Sequence, residues 1–128
     1  MFQQITRGIK ISVLTNYEGA FLKNNSPHFA FRYTVRIENQ SKDVVQLVNR
    51  NWKIMESNRR PHFVEGAGVI GKKPVLKSGE YHTYQSNCLI TSPIGAMSGF
   101  YTMMNFTTAQ EFEVEIPTFK LATNFALN

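Results

Sequence analysis

Hydrophobic and polar residues alternate without a break along HFAFRYTVRIEN, residues 28–39. Phe29, Phe31, Tyr33, Val35 and Ile37 fall on one side of an extended chain, and Ala30, Arg32, Thr34, Arg36 and Glu38 on the other. That predicts a strand with one face in a core and one in water. EFEVEIP, residues 111–117, has the same form: Phe112, Val114 and Ile116 oppose Glu111, Glu113 and Glu115. Pro117 has no amide hydrogen to give to a ladder, so regular pairing is expected to end there. IKISVL (9–14) and GFYTMMNF (99–106) add two more strands.

Along residues 43–56 the alternation changes phase. Val45 and Leu47 have odd parity, Trp52 and Ile54 even parity, so one face holds all four only if the strand slips by a residue. A β-bulge around Asn49 to Asn51 is expected, returning Trp52 to the core. Between these segments ENQSKD (38–43) and ESNRRP (56–61) read as hairpin connections. LKSGE (76–80) supplies a glycine able to take positive φ, and GAFLKNNSPH (19–28) reads as a polar surface loop. Short strands at roughly 8–12-residue spacing, with no long 3.6-residue period, predict an all-β sandwich or barrel.

Composition adjusts this picture only slightly. The 128 residues, 42% hydrophobic and 18% charged, make one domain, 1–128, without repeats. No apolar run approaches the roughly 18 residues of a membrane span, and the N-terminus lacks the pattern of a signal peptide. The single cysteine, Cys88, excludes an internal disulfide and suits a reducing compartment, so a cytoplasmic location is expected. The net charge of +5 is scattered, with no run of five like charges. It favours a soluble surface with a cationic bias over a nucleic-acid interface.

Taken in order, RIENQ, VQLVNRNWKIMESN, EGAGVIGKKPVLKSGEYHTYQSNC, TSPIGAMSGFYTM and EFEVEIPTFKL resemble the bacterial ApaG family, from about residue 6 to the C-terminus. Ser78 stands where proline is common before Gly79, and Asn87 where glycine is common before Cys88. The resemblance implies an immunoglobulin- or fibronectin-III-like β-sandwich of about seven or more antiparallel strands. It also implies a protein-binding role, since related domains occur in eukaryotic F-box proteins and in a polymerase-delta-interacting protein. An association with cobalt and magnesium efflux or resistance comes with the family; a catalytic activity does not.

Gly66, Gly68 and Gly71 spell GxGxxG within EGAGVIGKKP, residues 65–74. A dinucleotide site needs these glycines between a strand and a helix whose N-terminal amides hold the pyrophosphate. HFVE (62–65) can be the strand, but Pro74 and a further turn exclude the helix. What survives is an anion-binding nest of backbone amides, with Lys72 and Lys73 beside it. The competing reading is a loop whose glycines only make sharp turns.

Other chemistry is thinly represented. His28, His62, His82 and Cys88 lack the spacing of metal-ligand pairs. His82 shares a face with Tyr84 and reads as a core histidine. Cys88 reads as a buried small hydrophobe placed after a turn, and Ser86, Thr91 and Ser92 as turn residues. The terminal TFKLATNFALN offers Phe119, Leu121, Phe125 and Leu127 to close the sandwich or to meet another subunit. These readings converge on a non-enzymatic binding module without cofactor or metal, acting on a protein partner of unknown identity or on a second copy. The alternative is an anion- or nucleotide-polyphosphate-binding protein that uses residues 66–73.

Overall fold

The computed structural model describes residues 1–125, so Leu127 lies outside the described residues. Among the described residues nine strands follow one another: β1 (Phe2–Thr6), β2 (Ile9–Lys23), β3 (Ser26–Asn39), β4 (Val45–Glu56), β5 (His62–Ala67), β6 (Val75–Leu76), β7 (Tyr81–Ile90), β8 (Ile94–Asn105) and β9 (Gln110–Ala122). They form two antiparallel sheets. One has the order β1-β2-β3-β7, the other β5-β4-β8-β9 with β6 also paired to β4. Side chains at alternate positions of both sheets meet in a shared core. Phe29, Phe31, Tyr33, Val35 and Ile37 all point into it, as the alternation predicts. Trp52 is 4% exposed. Its indole meets Tyr33 of the facing sheet at 5.4 Å, and Phe119 and Tyr101 of its own sheet at 5.8 and 6.4 Å between ring centres, each edge-on.

The phase change in β4 is a bulge, placed slightly earlier than expected. Leu47 pairs with Met103 and Asn49 with Thr102, so Val48 is the extra residue. A second bulge corrects the expectation for Pro117. Gly99 pairs with Ile116 and Met97 with Phe119, so β9 carries two residues, Pro117 and Thr118, opposite Ser98. Proline's missing donor is absorbed where the ladder is already interrupted, and pairing resumes to Ala122. The inward positions change from even to odd there, which buries Phe119 and Leu121.

Two connections differ from the sequence reading. Residues 19–28 are the end of a long hairpin and not a loop. Asn24 and Asn25 both have positive φ, 52° and 61°, and make a two-residue turn between Lys23 and Ser26. ENQSKD is not a hairpin either, because it carries the chain from one sheet to the other. Asn39 is fully buried at that corner. Its side-chain amide donates to the carbonyls of Asp43 (2.8 Å) and Leu76 (3.0 Å), and its oxygen accepts from the amide and hydroxyl of Ser41 (3.0 and 2.6 Å). Every polar atom of the side chain is thus paired, which a buried amide requires.

Candidate functional site

The glycine-rich segment leaves β5 and turns back on itself. Val69 and Lys72 exchange two backbone bonds, at 2.8 and 3.0 Å, around Ile70 and Gly71. Positive φ at both central residues, 47° and 71°, is the mark of a tight hairpin turn. Gly68, at φ 62°, sits where an added Cβ would come 2.3 Å from the Lys72 carbonyl oxygen. Gly66 has a different reason. It faces Arg50 across the β4–β5 ladder, and a Cβ there would strike the guanidinium at 2.6 Å. Each glycine of GxGxxG therefore answers a local geometric demand.

The polar groups of the loop have partners inside the protein. The Gly68 amide donates to the Val48 carbonyl at 2.8 Å, next to the β4 bulge, while the Val69 and Lys72 amides are taken by the turn. The carbonyls of Ala67 and Gly68 each accept from Nη1 of Arg50 at 3.0 Å. Arg50, one of the scattered cations of the sequence, is the loop's anchor. Its shared parity with the core residue Trp52, two positions on, was the signal available. Lys72 and Lys73 are exposed. A hollow beside the loop is lined by Asn49, Arg50, Asn51, Glu65, Gly66, Ala67, Phe100 and Thr102, so Lys72 and Lys73 are outside its lining.

Across from the loop, β7 supplies His82, Tyr84, Ser86 and Cys88. Ser86 and Cys88 stand within the strand and not at a turn; Thr91 and Ser92 do lie in the turn after it. The hydroxyls of Tyr84 and Tyr101 share a short hydrogen bond across the two sheets. Burial raises the pKa of both phenols, and that of Tyr33, which is partly offset by a hydrogen bond with Ser86. Cys88 is buried, and its thiol is pushed up to about 11, first by burial and then by the charge of Glu56. A thiol so held is protonated at neutral pH and a poor nucleophile. His82 is half-buried and stacked on Tyr84, 6.4 Å between ring centres. Burial, then the charge of Lys72, lowers its pKa. His28 lies on β3 with its Nδ1 3.0 Å from the Ser26 carbonyl, and His62 is exposed on β5. Among the described residues no three His, Cys, Asp or Glu side chains gather as a metal site, and no helix is long and apolar enough to cross a membrane.

Fold and loop together define a class: an all-β, two-sheet antiparallel sandwich whose glycine-rich edge loop is tied back onto its own core. Within that class the chain belongs to the ApaG family. The ApaG domain model matches residues 20–105. The chain is 41% identical over 126 residues to "Protein ApaG" of Beijerinckia indica subsp. indica, covering 98% of this chain and 96% of that protein. An X-ray structure of a structural-genomics target superposes with a TM-score of 0.86 at 30% identity, covering 91% of this chain and 88% of the other. The crystal structure of an ApaA protein from Bordetella pertussis does so with a TM-score of 0.80 at 34% identity, covering 91% and 94%.

Proposed function

We propose that the protein is a binding module without chemistry of its own, of the immunoglobulin or fibronectin-III kind, which acts in the cytoplasm by contact with a protein partner. The observation that supports this reading is the open edge of β7. The strand pairs with β3 on one side and, among the described residues, ends its sheet on the other. Over Tyr81–Ile90 it holds no proline and no Asp, Glu, Lys or Arg, and its register with β3 is unbroken. Edge strands are usually protected by such residues or by a bulge, and an unprotected one is a template for an added strand. The β1 edge, by contrast, is tied to β9: the Glu115 amide donates to the Thr6 hydroxyl at 3.3 Å, and Gln4 Nε2 to the Glu115 carboxylate at 3.0 Å. The proposed occupant of β7 is an extended segment of a partner protein. A link to cobalt or magnesium efflux would then run through that partner and not through coordination by this chain.

Anion or nucleotide-polyphosphate binding by residues 66–73 is the second reading, favoured by exposed Lys72 and Lys73. It ranks lower because three of the loop's amides are already bonded within the fold. Capture from lysate, with nucleotide polyphosphates added or withheld, separates the two. A stoichiometric partner should be lost with Thr83→Lys plus Gln85→Lys, kept with Lys72→Ala plus Lys73→Ala, and indifferent to polyphosphate. Amide exchange on the complex should slow along β7. A partner indifferent to the β7 substitutions, or one governed by the two lysines and polyphosphate, overturns the proposal.

A further inference from the structure

The outward face of β5, β4, β8 and β9 carries a hollow. The bulge that sets Pro117 and Thr118 against Ser98 bends the strands. The result is a groove of about 400 Å³. Phe63 and Phe100 line it with Lys53, Glu65, Glu113 and Glu115, and Phe63 is 67% exposed. Three carboxylates against one ammonium make the groove negative on a chain whose net charge is +5. Those carboxylates are not neutralised within the fold: among the described residues, ion pairs join Arg32 to Glu18 and Arg36 to Glu38. Gln4 donates to Glu115 and leaves its charge in place.

We propose that this groove binds an extended peptide segment that carries Lys or Arg beside apolar residues. Ring faces attract a cation and cover its methylene stem, and the free carboxylates meet its head. Phosphate-rich ligands are repelled by the same charge. The groove crosses four strands, three spacings or roughly 14 Å, the reach of about four extended residues. A peptide fits that span better than a compact amine. The site lies on the opposite sheet from β7, so it stands apart from strand addition there.

The probe is a fluorescein-labelled peptide of about eight residues, long enough to cross the groove, in which Arg alternates with Leu and Gly. Anisotropy should give saturable binding, with amide shifts at Phe63, Glu65, Phe100 and Glu113. Glu65→Gln with Glu113→Gln should weaken it at least about tenfold, and Phe63→Ala about fivefold. Glu111→Gln removes a carboxylate of β9 outside the groove and should leave affinity within about twofold. Thr83→Lys plus Gln85→Lys should bind the peptide like the wild type, so failure here and failure at β7 are separable. The proposal is overturned by absence of saturable binding, by equal loss in Glu111→Gln, by shifts centred on β7, or by spermine binding as tightly as the peptide.

Discussion

At Trp52 the indole is held edge-on by rings from both sheets, Tyr33 on one side and Phe119 and Tyr101 on the other. Truncation there removes the ring against which the two halves of the core are packed, and the stiff β-structure around it collapses poorly into the void. Trp52→Ala should therefore cost about 3–5 kcal/mol, read from the midpoint of urea unfolding. A loss below about 1 kcal/mol would mean that the ring is not the centre of the core. That Trp52 points inward was legible from parity once a bulge was allowed. That Arg50 also points inward is harder to read from parity, because an arginine in a strand is ordinarily solvated. What makes Arg50 different is the bare backbone of Gly66 opposite it and two carbonyls within reach, a pairing between strands that no local pattern announces.

The loop from β5 to β6 illustrates how one motif can carry opposite meanings. In a phosphate site the glycine amides are free and point at the ligand. Here the amides of Gly68, Val69 and Lys72 meet carbonyls, and the loop's own carbonyls meet a cation. Stability should track backbone geometry and not charge. Gly68→Ala places a Cβ against the Lys72 carbonyl at positive φ and should cost more than about 1 kcal/mol. Ile70→Asn relieves a β-branched residue at φ 47° and should gain a few tenths to about 1 kcal/mol. Lys72→Ala with Lys73→Ala should leave the unfolding midpoint within about 0.5 kcal/mol. Calorimetric titration with pyrophosphate, ATP or diadenosine tetraphosphate should give no saturable binding tighter than about 0.1 mM. Micromolar binding abolished by the lysine pair would restore the anion reading.

For the molecule as a whole, His82 ties stability to pH. The unfolded chain protonates its imidazole near the ordinary value of about 6.5, whereas burial and Lys72 lower that value in the fold. Between the two values the unfolded state binds more protons, so stability falls as pH drops from about 6.5 through the folded pKa. Urea midpoints between about pH 5 and 7.5 should fall less steeply for His82→Gln than for the wild type; equal slopes would remove His82 from that role. The division of labour between sequence and fold is clearest at this scale. Alternation along HFAFRYTVRIEN and EFEVEIP determined strands, their buried faces and the all-β class, because period two follows from the covalent geometry of an extended chain. Density of turns and lack of a helical period narrowed the architecture to a sandwich or a barrel. Only the tertiary structure decided that 19–28 extends a hairpin, that ENQSKD crosses between sheets, that β9 continues past Pro117, and that β7 is left as an edge. Each of these depends on which distant strand lies alongside. The slip in β4 showed in its own alternation, but the hydrogen-bond partners and the slip at Pro117 are settled between strands, so a pattern read along one strand cannot contain them.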